Sequence, residues 1–319
     1  MDLTSPVFPP ELEREIFEKA AEAYRPDIIR LMLVSKRVYL WIRPMLFRIV
    51  GASDTGIWPP LRLALDSEPA FLRHSVRFLC LTLTHYSAVT KEDTDRLLTI
   101  CTGLVDLAIS HKFPMTNHLS LLAKMHNLRR LTCSLEKLCG NFESIDGRHE
   151  AFSRITHLEL LDDGLGWLKS VLRPLTLMPA TTHLSLSGGD NLDDSGFWDD
   201  IQQLLDAMPR LVLLALVWGR LDVLDWFESV NATPVRDQRF VAGCYNYPTD
   251  GEDNVWVEWD ESASGTALDY WGRGEIFLQR KRRGEVSETR FWMDDWMYEA
   301  RRTSPQDLEG EFDDSDTSY

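Results

Sequence analysis

The sequence predicts an α/β solenoid, with parallel strands inside and helices outside, set between a short helical unit at the amino end and a helical cap with an acidic tail at the carboxy end. Three observations predict it. A short leucine signature recurs six times between residues 70 and 220, amphipathic helical patterns fill the intervals, and proline-bounded helical patterns occupy the first fifty residues.

The amino end reads Phe8-Pro9-Pro10-Glu11-Leu12-Glu13-Arg14-Glu15-Ile16-Phe17. Proline suits a first helical turn, where its missing N–H would have had no partner. Glu11 and Glu13 follow where the helix dipole favours negative charge. Leu12, Ile16, Phe17, Ala20, Ala21 and Tyr24 then recur at helical spacing, and Pro26 ends the element. A second helical run, residues 28–50, places Leu31, Leu33, Val34, Val38, Trp41 and Ile42 on one broad apolar face, with a break or kink expected at Pro44. A unit of residues 1–50 is too small to bury all this surface alone, so it needs a partner, the rest of the chain, or both.

The string PPELEREIFE followed by PDIIRLMLVSKRVYLWIRPMLFRIV resembles the F-box-like motif of a large group of fungal proteins of the basidiomycete type. Phe8 departs from it, standing where many members have leucine. The resemblance covers about a sixth of the chain. It implies docking to the Skp-type adaptor of a cullin-RING ubiquitin ligase, with Pro9, Pro10, Leu12, Ile16, Val34 and Trp41 as the adaptor contacts. It further implies a substrate receptor that holds an unknown protein client, performs no catalysis and uses no cofactor. Outside the complex the chain is expected to be a monomer. The alternative is that these helices only cap the solenoid, because an unpaired terminal repeat exposes apolar surface.

From residue 51 to 245 the signature dominates: Leu79, Leu107, Leu131, Leu158, Leu184 and Leu214 anchor L-x-x-L-x-L-like segments spaced 28, 24, 27, 26 and 30 residues apart. That spacing overlaps the leucine-rich-repeat range. Helical patterns at 93–101, 119–125, 165–177 and 198–208 lie between anchors. A strand plus a helix cannot bury itself, whereas stacked copies share one core. No asparagine ladder follows the strands, so the repeat is degenerate. An ordinary α/β domain with a parallel sheet is the competing reading. A last strand is expected over 239–244, followed by an acidic loop or short hairpin over 246–265 that carries Trp256 and Trp259.

The solenoid's concave strand face is expected to present itself to the client. The aromatic, basic cap spans 266–302, with a helix over 268–283 whose Arg280–Arg283 run reads as a solvated helix end and Gly284 as its stop. Phe291, Trp292, Trp296, Met297 and Tyr298 read as closing the solenoid. Residues 303–319 form an acidic, disordered tail, and 305–319 hold six carboxylates and no base.

The net charge of −16 argues against binding nucleic acid phosphates or anionic lipid. No apolar run approaches the roughly 18–20 residues of a membrane span, and the amino terminus turns acidic before a signal-peptide core develops. Cytoplasmic or nuclear residence is therefore expected. Five scattered cysteines without CxxC suggest reduced, packed thiols.

Enzyme signatures are absent from the sequence, and Gly164-Leu-Gly166 lacks a third glycine. The pairs Asp162-Asp163, Asp193-Asp194 and Asp294-Asp295 read as caps or solvated acids. His157 and His183 precede anchor leucines at equivalent places. They read as half-buried structural histidines, since further metal ligands are not legible in the sequence.

Overall fold

The computed structural model describes residues 8–51, 55–82, 90–110, 118–162, 167–187, 196–219, 229–246 and 253–294. Three helices open the chain: α1 (Pro10–Ala23), α2 (Ile28–Met32) and α3 (Lys36–Leu46). The run read as one helix over 28–50 is divided because Ser35 adopts extended backbone and accepts from the Val38 amide, starting α3 afresh. Pro44 lies within the last turn of α3, so it does not break the helix early. Ile49 and Val50, expected to be helical, form the first strand of the sheet.

Among the described residues, eight strands make one wholly parallel sheet in strict chain order. They are β1 (Ile49–Val50), β2 (Phe78–Leu81), β3 (Asp106–Ile109), β4 (Arg130–Cys133), β5 (His157–Leu160), β6 (His183–Ser187), β7 (Leu213–Trp218) and β8 (Phe240–Cys244). Helices occupy the crossovers: α4 (Trp58–Ser67) and α5 (Pro69–Ser75), α6 (Lys91–Ile100), α7 (Leu119–Leu122), α8 (Leu135–Cys139), α9 (Leu168–Thr176) and α10 (Phe197–Ala207). A strand order that never reverses is the mark of a solenoid-like α/β architecture; a doubly wound sheet would reverse it.

The register explains the repeating leucines. Val50, Leu79, Leu107, Leu131, Leu158, Leu184, Leu214 and Phe240 pair in one continuous row across the eight strands. All eight are buried on the face that meets the crossover helices. Side chains alternate along a strand, so the next inward row is Leu81, Ile109, Cys133, Leu160, Leu186, Leu216 and Ala242. Leu61, Leu65, Leu97, Leu98, Val171, Leu175, Ile201 and Leu205 complete this core from α4, α6, α9 and α10. Each buried leucine contributes about 1.5–3 kcal/mol of burial.

The opposite face of the sheet, expected to be open, is covered by the chain itself. Residues 253–264, read as a loop or hairpin, form helix α11 (Asp253–Ser264), and α12 (Tyr270–Arg282) follows it. The apparent strand alternation of Val255-Trp-Val-Glu-Trp259 misled because tryptophans at 256 and 259 also fall on one helical face. Both tryptophans are buried against Ile49, Cys80, Ala108 and Leu161. Tyr270, Trp271, Phe277 and Leu278 of α12 pack on Leu213, Ala215, Val217 and Val241. The helix sits so close that a Cβ at Gly274 would lie 2.7 Å from a Leu213 methyl. Gly284, at φ 72°, ends the helix as expected.

Phe291, Trp292 and Met293 run along β8. The Ala242 amide donates to Phe291 O at 2.9 Å and the Met293 amide to Ala242 O at 2.9 Å. Trp292 and Phe291 join the main core beside Trp218 and Phe240. Trp296, Met297, Tyr298 and the acidic tail lie outside the described residues. Among the described residues, no helix is long and apolar enough to cross a membrane. All five cysteines carry free thiols, four of them buried.

The basic end of α12 is not simply solvated. Lys281 is only 4% exposed, with its ammonium 4.7 Å from the Phe291 ring centre and 5.6 Å from that of Phe277. Burial lowers its pKa to about 8. The unfolded chain therefore binds more protons than the folded one above pH 8, and this lysine's contribution makes stability rise with pH from about 8 towards 10.5. Lys281→Met is expected to abolish that rise and to stabilise the fold at pH 7 by roughly 1–2 kcal/mol. Urea unfolding at pH 7 and pH 9.5 measures both effects, and equal pH dependence in the two proteins contradicts them.

Candidate functional site

The amino-terminal helices have two faces with different fates. Ala21 of α1, Ile28 of α2, and Val38 and Ile42 of α3 bury one another in a small core of their own. Past this core the unit is latched to α5 and to β1. Arg43 makes a double ion pair with Glu68 (2.8 and 2.7 Å) and lies 4.3 Å over the Phe71 ring. The Phe47 ring meets Phe71 edge-on at 5.7 Å, and the Arg25 guanidinium donates to Ile49 O at 2.6 Å.

The outward face has no such cover. Pro9 and Pro10, at the start of α1, are exposed, as are Leu12, Ile16 and Val34, each about half or more. Trp41 differs: it is half-buried against the small core, with the Arg37 guanidinium 5.3 Å above its ring. An ion pair between Arg37 and Glu13 joins the first turn of α1 to the first turn of α3. The expected single apolar face over 28–50 is thus split, with Val38 and Ile42 inward and Leu33 and Val34 outward.

Five of the six residues expected as partner contacts are open to solvent. The sequence reading omitted several that are equally open: Ile29, Leu40 and above all Leu33, which is 82% exposed. Leu40 carried a signal in the sequence, since it falls off the Val38–Ile42 stripe of α3 yet is apolar. Of thirteen large hydrophobic side chains exposed among the described residues, nine lie between Phe8 and Leu40. Surface apolar residues are ordinarily scattered, whereas grouping marks an interaction surface.

The second face of the sheet holds the other concentration of functional groups. Asp106, Arg130, His157 and His183 pair in register across β3 to β6, and Thr132, Glu159 and Ser185 form the next row. Arg130 bridges two carboxylates. Its Nε lies 3.1 Å from Asp106, and its Nη2 contacts Asp269, the residue that caps α12 through the Gly272 amide. Trp259 Nε1 donates to Asp106 at 2.9 Å. Burial opposes ionisation of Asp269, but Arg130 and the Gly272 amide prevail and hold its carboxyl below the usual range.

Glu159 accepts from the Tyr245 hydroxyl at 2.8 Å and from Thr132 at 2.9 Å, and burial raises its pKa to about 7. Glu258 and Asp294 hold Arg273 in the same manner at the other end of the face. The imidazoles of His157 and His183 stack at 4.1 Å, nearly parallel, with the Trp271 ring beside the stack and nearly perpendicular to both. Glu275 of α12 reaches His183 Nε2 at 2.9 Å. Among the described residues, His157, His183 and Glu275 bring three potential ligand atoms within 4.8 Å of one another, but the parallel stack keeps the two imidazole lone pairs from converging on one ion.

Of the acidic pairs, only Asp162 and Asp294 lie among the described residues, and these two act as a cap and a brace. Asp162 accepts from the Leu135 and Glu136 amides (2.9 and 3.2 Å) and so caps α8 from the neighbouring repeat. Asp294 accepts from the Cys244 amide and from Arg273. Asp163, Asp193, Asp194, Asp295 and Gly164–Gly166 lie outside the described residues.

If the outward face of α1–α3 serves a partner and the inward face serves folding, substitutions separate the two. Leu33→Ser is expected to change stability by no more than about 0.5 kcal/mol, whereas Ile42→Ala should cost about 2–5 kcal/mol. Denaturant unfolding compares them, and equal costs would assign both faces to folding.

Comparison of the chain with protein-family models gives no match, and comparison with curated proteins gives none.

Proposed function

We propose that this chain is a protein-interaction adaptor, a substrate-recognition subunit of a cullin-RING ubiquitin ligase, whose α1–α3 face docks the Skp-type adaptor. The observation that carries the reading is the grouping of nine exposed apolar side chains between Phe8 and Leu40, on the first three helices and the turns that join them. The F-box-like order of residues in Pro9–Val50 names the partner, and the exposed face gives it a surface. Docking would bury Leu12, Ile16, Leu33 and Val34, each worth about 1.5–3 kcal/mol when fully removed from water. In this reading the middle of the chain is a degenerate leucine-rich-repeat solenoid that positions a client protein. Catalysis belongs to the ligase, and this chain raises the client's effective concentration near the ubiquitin-charged enzyme. Such a role places the protein in the cytoplasm or nucleus.

Because α11 and α12 cover the second face of the sheet, the client is left the crossover-helix side, the loops, or the outer surfaces of α11 and α12.

A second reading, that α1–α3 merely cap the repeats, is favoured by the Arg43–Glu68 pair and the Phe47–Phe71 contact. These latches use a different part of the unit from the exposed face, so capping and docking coexist.

A binding assay with purified Skp-type adaptor decides between docking and capping alone. Wild type is expected to bind, and Leu12→Asp combined with Val34→Asp should weaken binding at least about tenfold. Both positions are solvent-exposed, so the doubly substituted chain should remain folded by circular dichroism. Absence of wild-type binding, or binding unchanged by the two substitutions, overturns the proposal.

A further inference from the structure

We infer that the edge of the sheet where the chain turns back into β1, β2, β3 and β4 is a docking surface for a short acidic peptide segment of a partner protein. The surface shares no residue with the adaptor-docking face, so either can fail without the other.

Topology builds this edge. With eight parallel strands in chain order, every turn that enters a strand lies on the same side of the sheet. In the first four repeats these turns set Arg48, Arg77, Val105 and Arg129 in one row ahead of the strands. The Arg77 amide donates to Arg48 O at 2.9 Å, that of Val105 to Arg77 O at 2.8 Å, and that of Arg129 to Val105 O at 2.9 Å. Three strand spacings separate Arg48 from Arg129, about 14 Å. Arg73, in the last turn of α5, and Lys124, just past α7, add two more cations to the same edge. Residues 47–48, 73–77, 101–105 and 123–129 include no Asp or Glu.

Charge on this edge runs against the rest of the molecule. The chain has 50 carboxylate side chains and 34 cationic ones, so a cation in it readily meets an anion. Arg14, Arg62 and Arg96 each hold a carboxylate. Among the described residues, by contrast, no carboxylate pairs with Arg73, Arg77, Lys124 or Arg129, and Arg48 has Glu22 at 3.4 Å. Arg73, Lys124 and Arg129 are exposed.

The dipole of α5 accounts for Arg73, but Arg77 and Arg129 lie past the helix ends. Backbone carbonyls hold them: Arg77 Nη1 donates to Gly103 O at 2.7 Å, and Arg129 Nη1 to His126 O and Leu128 O at 2.9 Å each. A neutral carbonyl orients a guanidinium without cancelling its charge, and the other N–H groups are left for a carboxylate. Side chains fixed beforehand lose less freedom on binding.

Size and surroundings select the ligand. A row of about 14 Å matches four residues of an extended peptide at roughly 3.3 Å each. The turn before β5 brings in Glu143, Asp146 and Glu150, which end the cationic stretch. The turns before β1 to β4 present no exposed aromatic ring on which a nucleic acid base would stack. The net charge of −16 also repels a long polyanion. A short run of Asp and Glu meets neither obstacle.

The test titrates the full chain into a rhodamine-labelled octapeptide with four central carboxylates, read by fluorescence anisotropy. Arg73→Glu combined with Lys124→Glu reverses two exposed cations of the edge that make no ion pair. Lys169→Glu combined with Arg282→Glu changes net charge equally at exposed positions elsewhere. Wild type is expected to bind saturably, with affinity falling as salt rises from about 0.05 to about 0.3 M. The edge variant, verified as folded by circular dichroism, should bind at least about tenfold more weakly. The control variant should lose less than about twofold. No saturable binding, equal weakening in the two variants, or equal or tighter binding of a single-stranded oligonucleotide of the same charge overturns the surface.

Discussion

Arg130 is the constraint on which the arrangement of the carboxy-terminal half depends. It sits in the middle of the sheet's second face and joins three elements at once. Asp106 is its neighbour in the row on β3, Asp269 is the cap of α12, and Trp259 of α11 is held through the far oxygen of Asp106. A guanidinium in this position is held by its partners, because either carboxylate left alone under α11 and α12 would be a buried, uncompensated charge. The same logic recurs with Arg273 between Glu258 and Asp294. Charged pairs therefore fix where α11 and α12 lie, and apolar contacts of Trp256, Trp259, Tyr270 and Phe277 supply the burial.

This closure divides the labour of the surfaces. A repeat sheet with one bare face offers that face to a partner, but here the chain supplies its own occupant. The large apolar groups left open gather instead on α1–α3. That unit spends one stripe, Val38 and Ile42, on its own small core, and its end, Arg43 and Phe47, on Glu68 and Phe71 at the start of α5. The remainder stays in water.

The sheet was legible in the sequence because its signal is local and repeated. Each anchor leucine needs only its own strand to be recognised, and all six fall in one register row. The crossover helices over 91–100 and 197–207 were legible for the same reason. What was not legible depends on partners far away in the chain. Trp256 and Trp259 look like strand or loop residues until the sheet beneath them is known. Lys281 looks like a solvated helix end until Phe291 folds against it. His157 and His183 were visibly equivalent, but the third group near them, Glu275, lies 92 residues beyond His183 and announces itself by no motif. Among the helices, proline and acidic residues marked α1 correctly. The division of 28–50 turns on one residue, Ser35, whose cap is hidden in the apolar pattern on either side of it.

The central claim is that α11 and α12 are an integral layer of the fold, closing the sheet's second face. Native-state hydrogen exchange on the full chain tests it most directly. The account predicts that amides of α11 and α12 are protected to the same degree as those of β4 to β7 and open only with global unfolding. Exchange in α11 and α12 faster than in those strands by about two orders of magnitude or more would mean an open sheet face, and would contradict it.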